Sequence, residues 1–157
     1  MFVPPDCIGT LPVVNFAEGD VLIPEGTAAA ALYFLAEGVV EVVKGDVSIT
    51  KVRDRGAMFG EMSVLLSCPH TATVRAATDV TCHVAREPMV FLATHPEAMF
   101  YVGKILAQRL ESLNKYLVDV KSQLREKEGH VGMVDEVLGA LMSRHPKPRR
   151  VAKDPGQ

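Results

Sequence analysis

The sequence predicts a mainly-β domain, an antiparallel barrel or sandwich, followed by C-terminal α-helix. Three observations predict it. From about Pro12 to Ala85 short β-branched runs alternate with turns rich in Gly, Asp and Pro, with no long helical pattern between them. After Pro88 the apolar period lengthens to between three and four residues and holds to about Glu128. The chain has 157 residues, 48% hydrophobic and 23% charged, which suits one globular domain with an appendage.

Residues 1–13 form an N-terminal arm, and residues 14–95 the β domain. "VVNFAEGDVLIPEG" places turns at Glu18-Gly19-Asp20 and Glu25-Gly26 on either side of a strand, Val21 to Ile23. Leu32 to Leu35 is the next strand, and Glu37-Gly38 turns the chain into Val39 to Val43. A tight Lys44-Gly45-Asp46 turn leads to Val47 to Val52. Two further strands are expected at Thr71 to Ala76 and Val80 to Val84.

The period of the next segment indicates a helix over residues 96–128, opened by Pro96 at its first position and stopped by Gly129. Leu106, Leu110, Leu113, Leu117, Val120 and Leu124 recur at alternating four- and three-residue steps, a heptad seam flanked by charges such as Arg109, Glu111, Lys115 and Asp119. A helix packed on its own domain usually has a broader apolar face, so the seam predicts a helix–helix contact in a homodimer. Residues 129–145 are expected to form a short amphipathic helix, and the basic, Pro-rich residues 146–157 a disordered tail.

Composition excludes several classes. The net charge of -2 gives no general attraction to nucleic acid or anionic membrane. Cys7, Cys68 and Cys82 are far apart, and the five histidines form no HxxxH, so no metal site and no disulfide framework are expected. The amino terminus carries no basic, apolar leader, and no run approaches 18 apolar residues. A cytoplasmic protein without a membrane span is expected. No nucleophile–base pair or carboxylate pair has a supporting context, so the chain is not expected to be an enzyme.

The stretch with chemical character is "FGEMSVLLSCPHTATVRA", from Phe59 to Ala76. Gly60 lets backbone approach a ligand closely, and "EMSVLL" can form one or two helical turns whose first N–H groups suit an anion. Glu61 is an acceptor, suited to two adjacent hydroxyls such as a ribose diol. An N–H nest beside a diol acceptor suits a sugar-phosphate, although a Gly-Glu pair at a helix start is also common as a first-turn acid.

"FAEGDVLIPEGTAAAALYFLAEGVVEVV", then "GAMFGEMSVL", then "PHTATVRA" resemble, in this order, the cyclic nucleotide-binding domain. This is the jelly-roll-like β-roll shared by catabolite-activator transcription factors, kinase regulatory subunits and gated channels. The resemblance covers roughly residues 14–117. It implies a phosphate-binding cassette at Gly60, Glu61 and Met62, flanked by Phe59 and Ser63, with Glu61 on the ribose 2′-hydroxyl. Thr71 and Ala72 match the positions that give a hydroxyl and an N–H to the phosphate. Arg109, Leu113 and Asn114 match those nearest the base. Gly19, Gly26 and Gly38 match structural turn glycines.

His70 departs from the pattern, which has arginine there. Histidine reaches one phosphate oxygen at best and is mostly neutral near pH 7. Arg75 lies roughly 13 Å along the strand from Thr71, too far to substitute. The exchange is expected to cost about 2 kcal/mol, a factor of about 30 in affinity. If the charged imidazole is the binding form, affinity should rise as pH falls from 8 toward 6.

The resemblance implies a regulatory sensor for a cyclic nucleotide, cAMP foremost, that signals to a protein effector through its C-terminal helices, with no cofactor. The alternative is an interaction and dimerisation module with a degenerate, non-binding pocket. A DNA-associated regulator is set aside, since a winged helix needs roughly 60 residues and only 129–157 follow the long helix. No sequence-specific contact with nucleic acid is expected from the basic tail.

Overall fold

The computed structural model describes residues 3–125 and 131–143, in two compact units, Met1–Ile105 and Leu106–Gln157. The first unit opens with α1 (Asp6–Gly9) and holds eight strands: β1 (Val13–Phe16), β2 (Val21–Ile23), β3 (Leu32–Glu37), β4 (Val40–Lys44), β5 (Val47–Val52), β6 (Met58–Phe59), β7 (Thr73–Ala76) and β8 (Val80–Ala85). Between and after them lie α2 (Glu61–Leu66), α3 (Pro88–Thr94) and the beginning of α4 (Pro96–Leu124). Two four-stranded antiparallel sheets form, in the orders β1-β8-β3-β6 and β2-β7-β4-β5. This is the expected β-roll with C-terminal helix.

The core between the sheets gathers Leu22, Ile23, Leu35, Val40, Phe59, Val74, Ala76 and Val80, with Cys82 fully buried among them. β3 is buried on both faces, which explains its unbroken apolar sequence. Leu35 enters the core between the sheets. Phe34, also fully buried, faces α3, where its ring meets Phe91 edge-on at 6.4 Å. Each such side chain contributes about 1.5–3 kcal/mol by its burial. The first turns of α4 bury Ala98, Tyr101 and Val102, and the Tyr101 hydroxyl donates to the Gly56 carbonyl at 2.9 Å. Gly56 has φ +86, and a Cβ there would stand 2.4 Å from that hydroxyl, so only glycine fits.

β5 is the outer edge of its sheet, and Val47 and Ile49 on it are exposed. Several strand ends differ from expectation, with β3 running past Leu35 to Glu37 and β8 past Val84 to Ala85. β4 runs Val40–Lys44, because the Val39 N–H donates to the Thr78 hydroxyl at 2.9 Å rather than to the ladder. β7 begins at Thr73, not Thr71: its pairing with β4 ends at Val43–Thr73, leaving Thr71 and Ala72 in a bend. Two short helices add to the expected elements. α1 buries Ile8, and the Thr10 hydroxyl holds the Cys7 carbonyl at 2.7 Å. α3 starts with Pro88 at the position where a missing N–H is harmless and buries Phe91 and Leu92.

The second unit holds the rest of α4 and α5 (Val131–Met142), and Lys121 pairs with Asp135 across them. Of the seam, Leu110 and Leu113 are 40% and 44% exposed, while Leu106, Leu117, Val120 and Leu124 are half-buried. The expected last residues of the long helix (126–128), its stop at Gly129, both ends of the 129–145 helix and the tail 146–157 lie outside the described residues.

Candidate functional site

β6 ends at Phe59, paired with Tyr33 of β3, and delivers the chain to Gly60 at the opening of α2. Gly60 has φ +90, and a Cβ there would stand 2.9 Å from the Ala31 carbonyl oxygen. Conformation and contact both demand glycine. The Val64 N–H closes the first turn on the Gly60 carbonyl at 3.1 Å, and the remaining first-turn N–H groups lack helical partners. Ser67, in the left-handed conformation at φ 52, ends α2 after six residues.

Glu61 is only 5% exposed, an unusual burial for a carboxylate. Close by is His70, 8% exposed, whose Cε1 would lie 3.5 Å from a Cβ at Gly60. Its backbone is fixed by the turn at residues 25–27: the His70 N–H donates to the Thr27 carbonyl at 2.9 Å, and its carbonyl accepts from the Gly26 N–H at 2.7 Å. Burial pushes the imidazole below its ordinary range, and the Glu61 charge offsets part of that. An apolar wall and an anion thus act on His70 in opposite directions, and burial prevails.

Thr71 is exposed and Ala72 half-buried in the bend after His70. The Lys44 ammonium, at the end of β4, donates to the Thr71 carbonyl at 3.0 Å. Arg75 is engaged elsewhere: its Nε and Nη2 donate to Glu41 Oε2 at 2.8 and 2.7 Å. The same carboxylate accepts from the Ser48 hydroxyl at 2.6 Å, and these two partners hold Glu41 below the usual carboxylate range.

Phe59, Gly60, Glu61 and His70 therefore meet in one place, with Thr71 and Ala72 following in the chain. Met62 is 50% exposed. Ser63 is buried and lines an open cleft of about 410 Å³ together with Ala28, Val64 and Cys68. Arg109, Leu113 and Asn114 belong to the second unit, on α4. Gly26 and Thr27, which pin His70, carried no signal beyond a turn. Lys44 likewise carried none, since its contact crosses 27 residues of chain. Among the described residues no group of three or more His, Cys, Asp or Glu could hold a metal ion, and no helix is long and apolar enough to cross a membrane.

Residues 13–90 match the family model of the cyclic nucleotide-binding domain. This segment belongs to that family. The cyclic nucleotide-binding domain is a regulatory module, not a catalytic one. An uncharacterized ABC transporter ATP-binding protein of Mycobacterium tuberculosis is 38% identical over 72 residues, 43% of this chain and 22% of that protein. The cAMP-dependent protein kinase regulatory subunit of Candida albicans is 32% identical over 75 residues, 48% of this chain and 16% of that protein. The chain thus spans no more than 22% of the length of these curated relatives. Among solved structures, the catabolite activator protein of Thermus thermophilus covers 86% of this chain, and is itself covered over 80%, with a TM-score of 0.62 at 21% identity. That likeness concerns the fold.

Proposed function

We propose that the chain is a non-enzymatic cytoplasmic sensor. It binds a cyclic nucleotide, cAMP foremost, in the roll, assembles as a homodimer along the α4 seam, and signals to a protein effector through its C-terminal helices. The observation that carries the reading is the meeting of Gly60, Glu61 and His70 inside a domain of this family. Gly60 opens a backbone cradle without a Cβ, so first-turn amides can approach a cyclic phosphate. Glu61, held in place by burial, accepts from the ribose 2′-hydroxyl, and the Thr71 hydroxyl and Ala72 N–H add to the phosphate. The family supports the ligand class, and the name of the Candida relative supports cAMP within it.

Two leucines at three-residue spacing, Leu110 and Leu113, each at least 40% exposed, support a covering partner helix. Three unpaired thiols suit a reducing compartment. The second reading, an interaction module with a non-binding pocket, is favoured by one observation: a buried histidine with depressed basicity at the place of a permanent cation. Calorimetric titration of the purified chain with cAMP and cGMP separates the two. Saturable binding, tighter for cAMP, is expected; silence with both nucleotides at millimolar concentration would leave the interaction module.

A further inference from the structure

If the roll binds a cyclic phosphate, its negative charge needs a cation, and the residue aligned with the family's arginine does not supply one. His70 is buried, and its basicity is lowered. Arg75 is held by two nitrogen contacts to Glu41. The structure offers a third cation. Lys44 is the last residue of β4, one step beyond the Val43–Thr73 pair, and so stands opposite the bend that carries Thr71 and Ala72. Val40 is fully buried in the core and Val42 packs against it, while Lys44 itself is exposed at the strand end. Its ammonium rests on the main-chain oxygen of Thr71 at 3.0 Å. That carbonyl is neutral, and the Glu25 carboxylate reaches the next residue instead, where Oε2 accepts from the Gly45 N–H at 3.0 Å.

We propose that Lys44 is the phosphate cation of this domain, replacing from β4 the charge that His70 withholds. The inference rests on the cyclic nucleotide reading above and deepens it. A lysine suits the task differently from an arginine: it is a compact point charge on a long, flexible stem that can exchange the Thr71 carbonyl for a phosphate oxygen. The Thr71 carbonyl serves as its resting partner while the site is empty. Because charge–charge attraction at an exposed site is screened, this part of the affinity should weaken with salt.

The test is calorimetric titration with cAMP of the wild-type chain, Lys44→Gln, Lys44→Arg, and Lys44→Gln combined with His70→Arg. Lys44→Gln should lose about tenfold in affinity, with a shallower dependence on salt. Lys44→Arg should keep most of the affinity. His70→Arg should restore what Lys44→Gln loses, because one positive charge replaces another. A loss that His70→Arg does not restore would make Lys44 a mere support of the Thr71 bend and overturn the proposal. Affinity within twofold of wild type in Lys44→Gln would overturn it too, while leaving the binding reading in place. A wild-type chain that binds neither cAMP nor cGMP would end both.

Discussion

Glu61 and His70 are both buried, and the Glu61 charge opposes part of the effect of burial on the His70 imidazole. If Glu61 holds the ribose diol, Glu61→Ala should weaken cAMP binding by about 1.5–3 kcal/mol, tenfold or more. Melting temperature should move far less. Equal affinity in the two proteins, measured by calorimetry, would reduce Glu61 to a first-turn acid. For His70 the sign follows from burial. Its basicity in the folded chain lies below the ordinary imidazole value of about 6.5. The unfolded chain therefore binds the proton more readily, and the contribution to stability is complete above about pH 6.5 and is lost as pH falls below it. Thermal unfolding of the ligand-free protein should show a fall in melting temperature between pH 7 and 5 that His70→Gln reduces. A bound anion opposes the burial effect. Cyclic nucleotide affinity should accordingly be level from pH 8 to 7 and rise only in more acid solution. A rise already complete at pH 7 would mean that the imidazole is not shielded as the structure has it.

At the scale of elements, one tie to the first turns of α4 is the Tyr101 hydroxyl on the Gly56 carbonyl. Gly56→Ala would force a side chain into the left-handed region and into the Tyr101 hydroxyl, whereas Tyr101→Phe would only remove one hydrogen bond. The first should lower stability by about 3 kcal/mol and the second by about 1. Equal denaturant midpoints would show that the glycine is dispensable. Along the seam, Leu113→Glu with Leu117→Glu should give monomers in sedimentation at tens of micromolar, where the wild type is expected to be a dimer; a monomeric wild type would refute the seam. The strands were legible because alternation and turn residues mark them locally, as in Val21 to Ile23 and Val47 to Val52. α3 was not, because seven residues hold too few periods to separate it from the strand before and the helix after. The onset of β7 was also missed: Thr71 and Ala72 have strand-like side chains, but β4 has already turned at Lys44 and offers them no ladder. That Gly60 opens a short helical turn beginning at Glu61 could be read from sequence, because it depends on local backbone. The surroundings of His70 could not, since Gly26, Thr27, Gly60 and Glu61 reach it from distant parts of the chain.

For the molecule as a whole, residues 13–90 form a cyclic nucleotide-binding domain. The roll also contains a chemical reporter of its own integrity. Cys82, fully buried at the centre of β8, has its thiol pushed up to about 11, whereas Cys7 and Cys68 are only half-buried. A thiol reagent at neutral pH should modify those two first and reach Cys82 only when the sheets part. The slow phase of labelling then measures how often the core opens. Since a ligand that binds only the closed roll multiplies its protection by one plus ligand concentration over Kd, cAMP should slow Cys82 modification in proportion to its occupancy. Labelling of Cys82 as fast as that of Cys68, or unchanged at saturating cAMP, would contradict this link between core and site. The cysteine that has no part in the chemistry would thus serve as a clock for it.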